Sequence, residues 1–185
     1  MAQAPAGIGH NRGPEMAGLS WRRHCWQAAR ADLLPHLPIE VLRGRLRRAQ
    51  DLGLDYKTYA SVRAASGHDV VAFLFSSNAL RAKPHLPADR ALRLASLQDC
   101  GRLALTLPPL TPEALVQAAP GLIDAAHPAP RPYGSFSEAR AALRAAHPGF
   151  AAAGVVLVGE APFEAEWCVA GKLGYYLEAS RIFGG

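Results

Sequence analysis

The 185-residue chain lacks cysteines spaced as C-x-x-C, lacks any apolar run long enough to cross a bilayer, and lacks the common catalytic signatures. Each absence excludes a class. Cys25, Cys100 and Cys168 are odd in number and far apart, which removes a disulfide framework and a zinc knuckle and fits a reducing cytoplasm. The longest uninterrupted apolar run, Val70 to Phe75, falls far short of the ~20 residues that a membrane-spanning helix needs. The N-terminal residues carry neither the charged region nor the apolar stretch of a secretory signal, so neither export nor membrane insertion is expected. Without HExxH, GxSxG, GxGxxG or a Walker sequence, no cofactor and no metal are expected. The seven histidines are scattered, and His36, His85, His127 and His147 sit beside or near prolines, where a turn role is the default.

What is present is an apolar half, enough for one domain or two small ones to bury a core. The net charge of +5 is unevenly divided: residues 1–85 carry 12 Lys and Arg against 6 Asp and Glu, while residues 86–185 carry 8 against 9. A positive field confined to one half fits contact with a polyanion, most often nucleic acid. Exposed arginines in an Arg-rich, Ala-rich chain are the plainer reading. Residues 1–18, with four Gly, two Pro and no apolar period, read as a flexible tail. Residues 19–83 read as mainly helical and 84–185 as an α/β segment packed with them in one domain. The fold class expected is α+β or α/β, with about three strands in a small mixed sheet flanked by helices.

The individual elements follow from period and punctuation. Ser20 caps a helix whose stripe is Trp21, Cys25, Ala28 or Ala29, and Leu33, ended by Pro35; Pro38 opens the next, with Ile39, Leu42, Leu46, Ala49 and Leu52 inward. Val70 to Phe75 reads as a buried strand, with a buried helix running on to Leu80 as the alternative. Arg102 to Leu107 alternates like a half-buried strand, and Gly154 to Gly159 is a fully apolar one suited to a central position. Thr111-Pro112-Glu113 starts a helix, and Ser135 with Glu138 forms a capping box before another. Residues 127–134, with three prolines, read as a loop. The closing stretch WCVAGKLGYYLEASRIF reads as a helix with Val169, Leu173, Tyr176 and Leu177 inward.

One stretch carries a functional signal. In RLRRAQDLGLDYKTYASVRA, Arg45 to Ala64, a basic helix stops at Gly53 and a second restarts near Tyr56. Ala49 is small enough for a close crossing, Leu52, Leu54, Tyr59 and Val62 form an apolar seam, and Asp55 caps the second helix. This resembles a helix-turn-helix motif over about twenty residues. It departs at Arg48, where such motifs usually bury an apolar residue, and at the bulky Tyr59. The resemblance implies a DNA-associated protein, a homodimer, in which Arg43, Arg47, Arg48, Lys57 and Arg63 contact phosphates while Tyr56, Thr58 and Ser61 lie nearest the bases. Arg43 with Arg47 is a like-charge pair at helical spacing, which a nearby anion would relieve.

Two other readings stay open. A non-catalytic protein-interaction module would use the same arginines against an acidic partner. A small cytoplasmic enzyme would use a cysteine, or a carboxylate where the ends of two strands, at Ser76 and Glu160, meet in one pocket. The SSN at Ser76 to Asn78 reads more simply as turn and cap residues. VGEAP at Val158 to Pro162 resembles a strand-end segment of the uracil-DNA glycosylases. In that family a glycine follows, where Phe163 stands here, and the segment comes early in a longer domain, whereas only 26 residues follow Gly159. Glu160 accordingly reads as a solvated loop acid.

Overall fold

A computed structural model describes residues 37–83 and 85–184. The tail expected at 1–18, the helix expected from Ser20, and Cys25 lie outside the described residues. The chain falls into two compact units, Met1–Leu42 and Arg43–Gly185, and the second holds everything that follows from Arg43 on.

Helix α1 (Ile39–Asp51) and helix α2 (Tyr56–Ser66) are joined by the glycine turn that the sequence marks. Gly53 takes a left-handed φ of 62°, its N–H donating to the Gln50 carbonyl, while the Leu54 N–H reaches back to Ala49 at 2.8 Å. Those two bonds close the end of α1 in the pattern that favours glycine at this position. Asp55 then caps α2 by accepting from the Thr58 N–H at 2.9 Å. Leu52, Leu54, Tyr59 and Val62 are buried, as the seam requires. Arg48, the residue out of place on the motif, donates to the carbonyls of Val70 and Asp99 at 2.8 and 3.1 Å and to Asp69. It ties the helix pair to the chain just before the first strand and just before the second, and contributes nothing apolar to the seam.

Five strands follow: β1 (Ala72–Ser76), β2 (Gly101–Thr106), β3 (Ala125–Pro128), β4 (Val155–Gly159) and β5 (Tyr175–Glu178). They form one sheet in the order β3-β2-β1-β4-β5, and every pairing is parallel. The remaining helices are α3 (Ser77–Leu80), α4 (Ala88–Ser96), α5 (Pro112–Ala118), α6 (Phe136–Ala146), α7 (Glu164–Gly171) and α8 (Ala179–Phe183). The mixed α/β class agrees with the sequence reading, but the sheet is central, has five strands rather than about three, and is parallel rather than mixed.

Each strand turns alternate side chains to two cores. Phe73, Phe75, Ala104, Val156, Val158 and Leu177 face a layer built on Ala49, Leu52, Tyr59, Val62, Leu94, Leu115 and Ile182. Ala72, Leu74, Leu103, Leu105, Val155 and Leu157 face Ala139, Leu143, Trp167 and Ala170 of α6 and α7. Burial on both faces explains why β1 and β4 are apolar without alternation. For the same reason Leu103 to Thr106 is buried throughout, where the sequence suggested half-burial.

Two elements correct the expectations. β3 begins just before the proline-rich stretch read as loop and takes in His127 and Pro128; as an edge strand it pairs only with β2, so Pro128 breaks no ladder on its open side. β5 lies inside the stretch read as one C-terminal helix. There α7 ends at Lys172, in a left-handed φ of 52°, with the Leu173 N–H returning to the Cys168 carbonyl. Val169, expected inward, is 67% exposed. The apolar spacing at 173, 176 and 177 belongs to the approach to a strand, not to a helix face.

Candidate functional site

The eight residues expected to meet nucleic acid are not one free surface. Arg48 is held by Asp69 and two carbonyls, and Arg63 pairs with the same Asp69 at 3.6 Å. Asp69 also accepts from the Tyr59 hydroxyl at 2.9 Å, so this acid gathers both helices onto the start of β1. Thr58 is buried, its hydroxyl donating to Asp55, and Tyr56 packs partly against the core. Arg43 and Arg47 on α1, and Lys57 and Ser61 on α2, are exposed. Lys57, Thr58 and Ser61 line a small cleft against Tyr175–Glu178 and Arg181, so the polar flank of α2 looks along the open edge of β5. Hydrogen bonding to Thr58 holds the Asp55 carboxyl below its ordinary range.

A second site comes from topology. Chain leaving β1 passes through α3 and α4 to one face of the sheet, whereas chain leaving β4 passes through α7 to the other. Divergence of that kind between neighbouring parallel strands opens a crevice at their carboxyl ends, where α/β proteins of this order bind ligands. A cleft of about 640 Å³ lies beside that point, at the carboxyl ends of β4 and β5 and against the chain that leaves β1, lined by Arg81, Arg90, Glu160, Tyr176, Glu178 and Phe183 among others. Its size is in the range of small-molecule sites.

Glu164 builds the floor of this region. It is fully buried, accepts from the backbone N–H groups of Glu160 and Ala161 at 2.7 and 3.1 Å, and accepts from the Asn78 side chain at 2.9 Å. One carboxyl thus fixes the turn after β4 and couples it to the turn after β1. Gly159 makes this possible, because a Cβ there would stand 2.6 Å from Glu164 Oε2 and 2.7 Å from the Tyr176 ring. Glu160 is not a free loop acid: Arg81 meets it at 2.7 Å, and that hydrogen bond holds its carboxyl below the ordinary range. Burial, then the neighbouring Glu164 and Glu178, raise the Tyr176 phenol.

The ends of β1 and β4 are side by side, yet Ser76 and Glu160 do not share a pocket. Ser76 is buried and spends its hydroxyl on the Ala79 N–H as the cap of α3. Ser77 and Asn78 line a separate, more apolar groove of about 530 Å³ with Lys83, Leu107 to Thr111 and Ala114. Asn78 reaches the other side only through Glu164. Among the described residues, burial pushes the thiols of Cys100 and Cys168 up to about 11, far from thiolate at neutral pH.

The sequence reading passed over Arg90 and gave Glu164 no role. Arg90 had one readable signal: it occupies the place of an apolar residue in the spacing Leu86, Arg90, Leu94, Leu97. Glu164 had none in apolar period: two of its partners are the local amides of Glu160 and Ala161, and the third, Asn78, is brought to it by strand order. Among the described residues no group of three or more His, Cys, Asp or Glu is placed to hold a metal ion. No helix among them is long and apolar enough to cross a membrane. The chain matches no family model, no curated protein and no solved structure.

Proposed function

We propose that this protein binds a small polar molecule in the cleft at the carboxyl ends of β4 and β5, beside the chain that leaves β1. The observation that carries the reading is a cleft of ligand size, next to the point where the strand order reverses, lined by two arginines, three acids, a tyrosine and a serine. Pre-formed walls support it further: Glu164 clamps the turn that presents Glu160, and Gly159 lets Tyr176 approach. Thermal-shift screening of the full chain against nucleotides, sugar phosphates, sugars and amino acids tests the reading, with Ser180→Trp as the control that fills the cleft. A compound that stabilises the native chain and not Ser180→Trp is expected. Stabilisation untouched by that substitution, or none across the panel, contradicts it.

A second reading keeps the nucleic-acid expectation in reduced form. Arg47 and Lys57, exposed on the two helices joined at Gly53, favour it, as does the positive first half of the chain. With Arg48 and Arg63 engaged by Asp69, contact falls on phosphates rather than bases, and a homodimer is needed to lengthen the contact. Binding to random duplex DNA that weakens steeply with salt, and weakens again in Arg47→Ala with Lys57→Ala, is the expected result. Salt-insensitive or absent binding removes this reading.

A further inference from the structure

Arg90 is the anomaly of the cleft. Its residue surface is 5% exposed, and its Nε is buried with no hydrogen-bond partner. The nearest acid oxygen, Asp89 Oδ2, stands 3.7 Å away, beyond hydrogen-bond reach, on a side chain that is 69% exposed. Its guanidinium carbon lies 4.1 Å from the centre of the Phe183 ring, so the group rests on an aromatic surface while its Nε–H has no acceptor among the described residues. A buried charged donor without an acceptor is costly, so such a group in a native chain calls for an explanation.

The neighbours indicate what completes it. Arg81, the other cation of the lining, is already met by Glu160 at 2.7 Å. Arg90 is therefore the cleft's poorly compensated positive charge: among the described residues Asp89 is its one ion-pair partner, and Glu160, held by Arg81, feels it only through space. Glu178, at the carboxyl end of β5, is an exposed acid of the same lining with no ion pair among the described residues. Two unlike charges left open in one cleft match a ligand that is anionic at one end and offers hydroxyl or ammonium donors at the other. A simple polyanion does not match, because three acids line the same wall.

We infer that the cleft ligand is a small anion bearing hydrogen-bond donors, whose phosphate or carboxylate group docks on the edge of the Arg90 guanidinium in place of Asp89 while its donors reach Glu178. This inference rests on the cleft reading above. The anionic group supplies the paired acceptors that an arginine edge fits, and the Phe183 ring, 4.1 Å from the guanidinium carbon, holds the group at one side of the cleft. Asp89 is exposed and free to swing into water as the ligand enters.

Side-chain NMR of the arginine Nε–H groups in the full chain tests it, with inorganic phosphate, acetate, ribose 5-phosphate and uncharged ribose as probes. The Arg90 resonance is expected to move saturably with phosphate or acetate, whichever identifies the favoured group. Ribose 5-phosphate is expected to bind tighter than ribose and to lose about tenfold or more in Arg90→Gln, as removal of a charge-assisted hydrogen bond implies. Arg90→Lys, which keeps the charge and loses the fork, is expected to fall in between. If ribose and ribose 5-phosphate bind the cleft equally and Arg90→Gln changes neither, the anion inference is overturned and the cleft reading stands. If the Arg90 resonance is still with every probe and no residue of the cleft responds, both are overturned. The wild-type spectra decide the matter even if the variants fold poorly.

Discussion

At the scale of single residues, two carboxylates each gather several donors from separate elements. Asp69 holds Arg48, Tyr59 and Arg63, and Glu164 holds Asn78 and two backbone amides. Glu164→Gln turns one acceptor oxygen into a donor facing donors, and is expected to destabilise the chain by about 1–3 kcal/mol, measurable by urea unfolding. Gly53→Ala forces a side chain into a left-handed conformation, with its Cβ 3.1 Å from both Arg93 Cζ and Leu97 Cδ2. A loss of about 1–2 kcal/mol or more is expected. Arg81 holds Glu160 below its ordinary 4.5, so the pair's stabilisation is present above that value and is lost as pH falls through the lower folded-state value. Both side chains are more than a third exposed, so solvent screens the pair, and Glu160→Gln should flatten the acid side of the stability curve only slightly, read by urea unfolding as a function of pH. These residues were poorly legible in the sequence. The turn at Gly53 and the cap at Asp55 could be read because their partners are within a few residues, whereas Glu164 meets Asn78 from 86 positions away.

At the scale of elements, legibility followed burial. β1, β2 and β4 are central and sandwiched between helices; β1 and β4 are nearly continuous in apolar residues and β2 carries Leu103 to Leu105 in an alternating stretch, so the sequence marks all three. β3 and β5 are the two edges, four residues each, with mixed sequences AAHP and YYLE that carry no period of their own. They exist because a neighbouring strand offers a ladder, which local pattern cannot reveal. The helix caps at Thr111 and Ser135 were legible for the opposite reason, since each is written in four consecutive residues. For α2, Asp55→Ala removes the acceptor of the Thr58 N–H and should cost about 1 kcal/mol, detected as a lower midpoint in denaturant with unchanged slope. α6 is anchored through Leu143, wholly buried against the sheet, and Leu143→Ala should cost about 2–5 kcal/mol.

At the scale of the whole second unit, the order β3-β2-β1-β4-β5 makes one sheet with helices on both faces, and its carboxyl edge gathers the side chains that local order leaves unsatisfied. The basic helix pair lies on one side of that sheet and gives up two of its cations to Asp69, which moves the weight of the functional reading from the helices to the crevice. The most direct measurement is a backbone amide NMR titration of the full chain with ribose 5-phosphate, mapped onto the sequence. Saturable shifts concentrated at Arg81, Arg90, Gly159, Glu160 and Tyr176 to Ser180 are the predicted result. Shifts confined to Arg45 to Arg63, or none that saturate, contradict it.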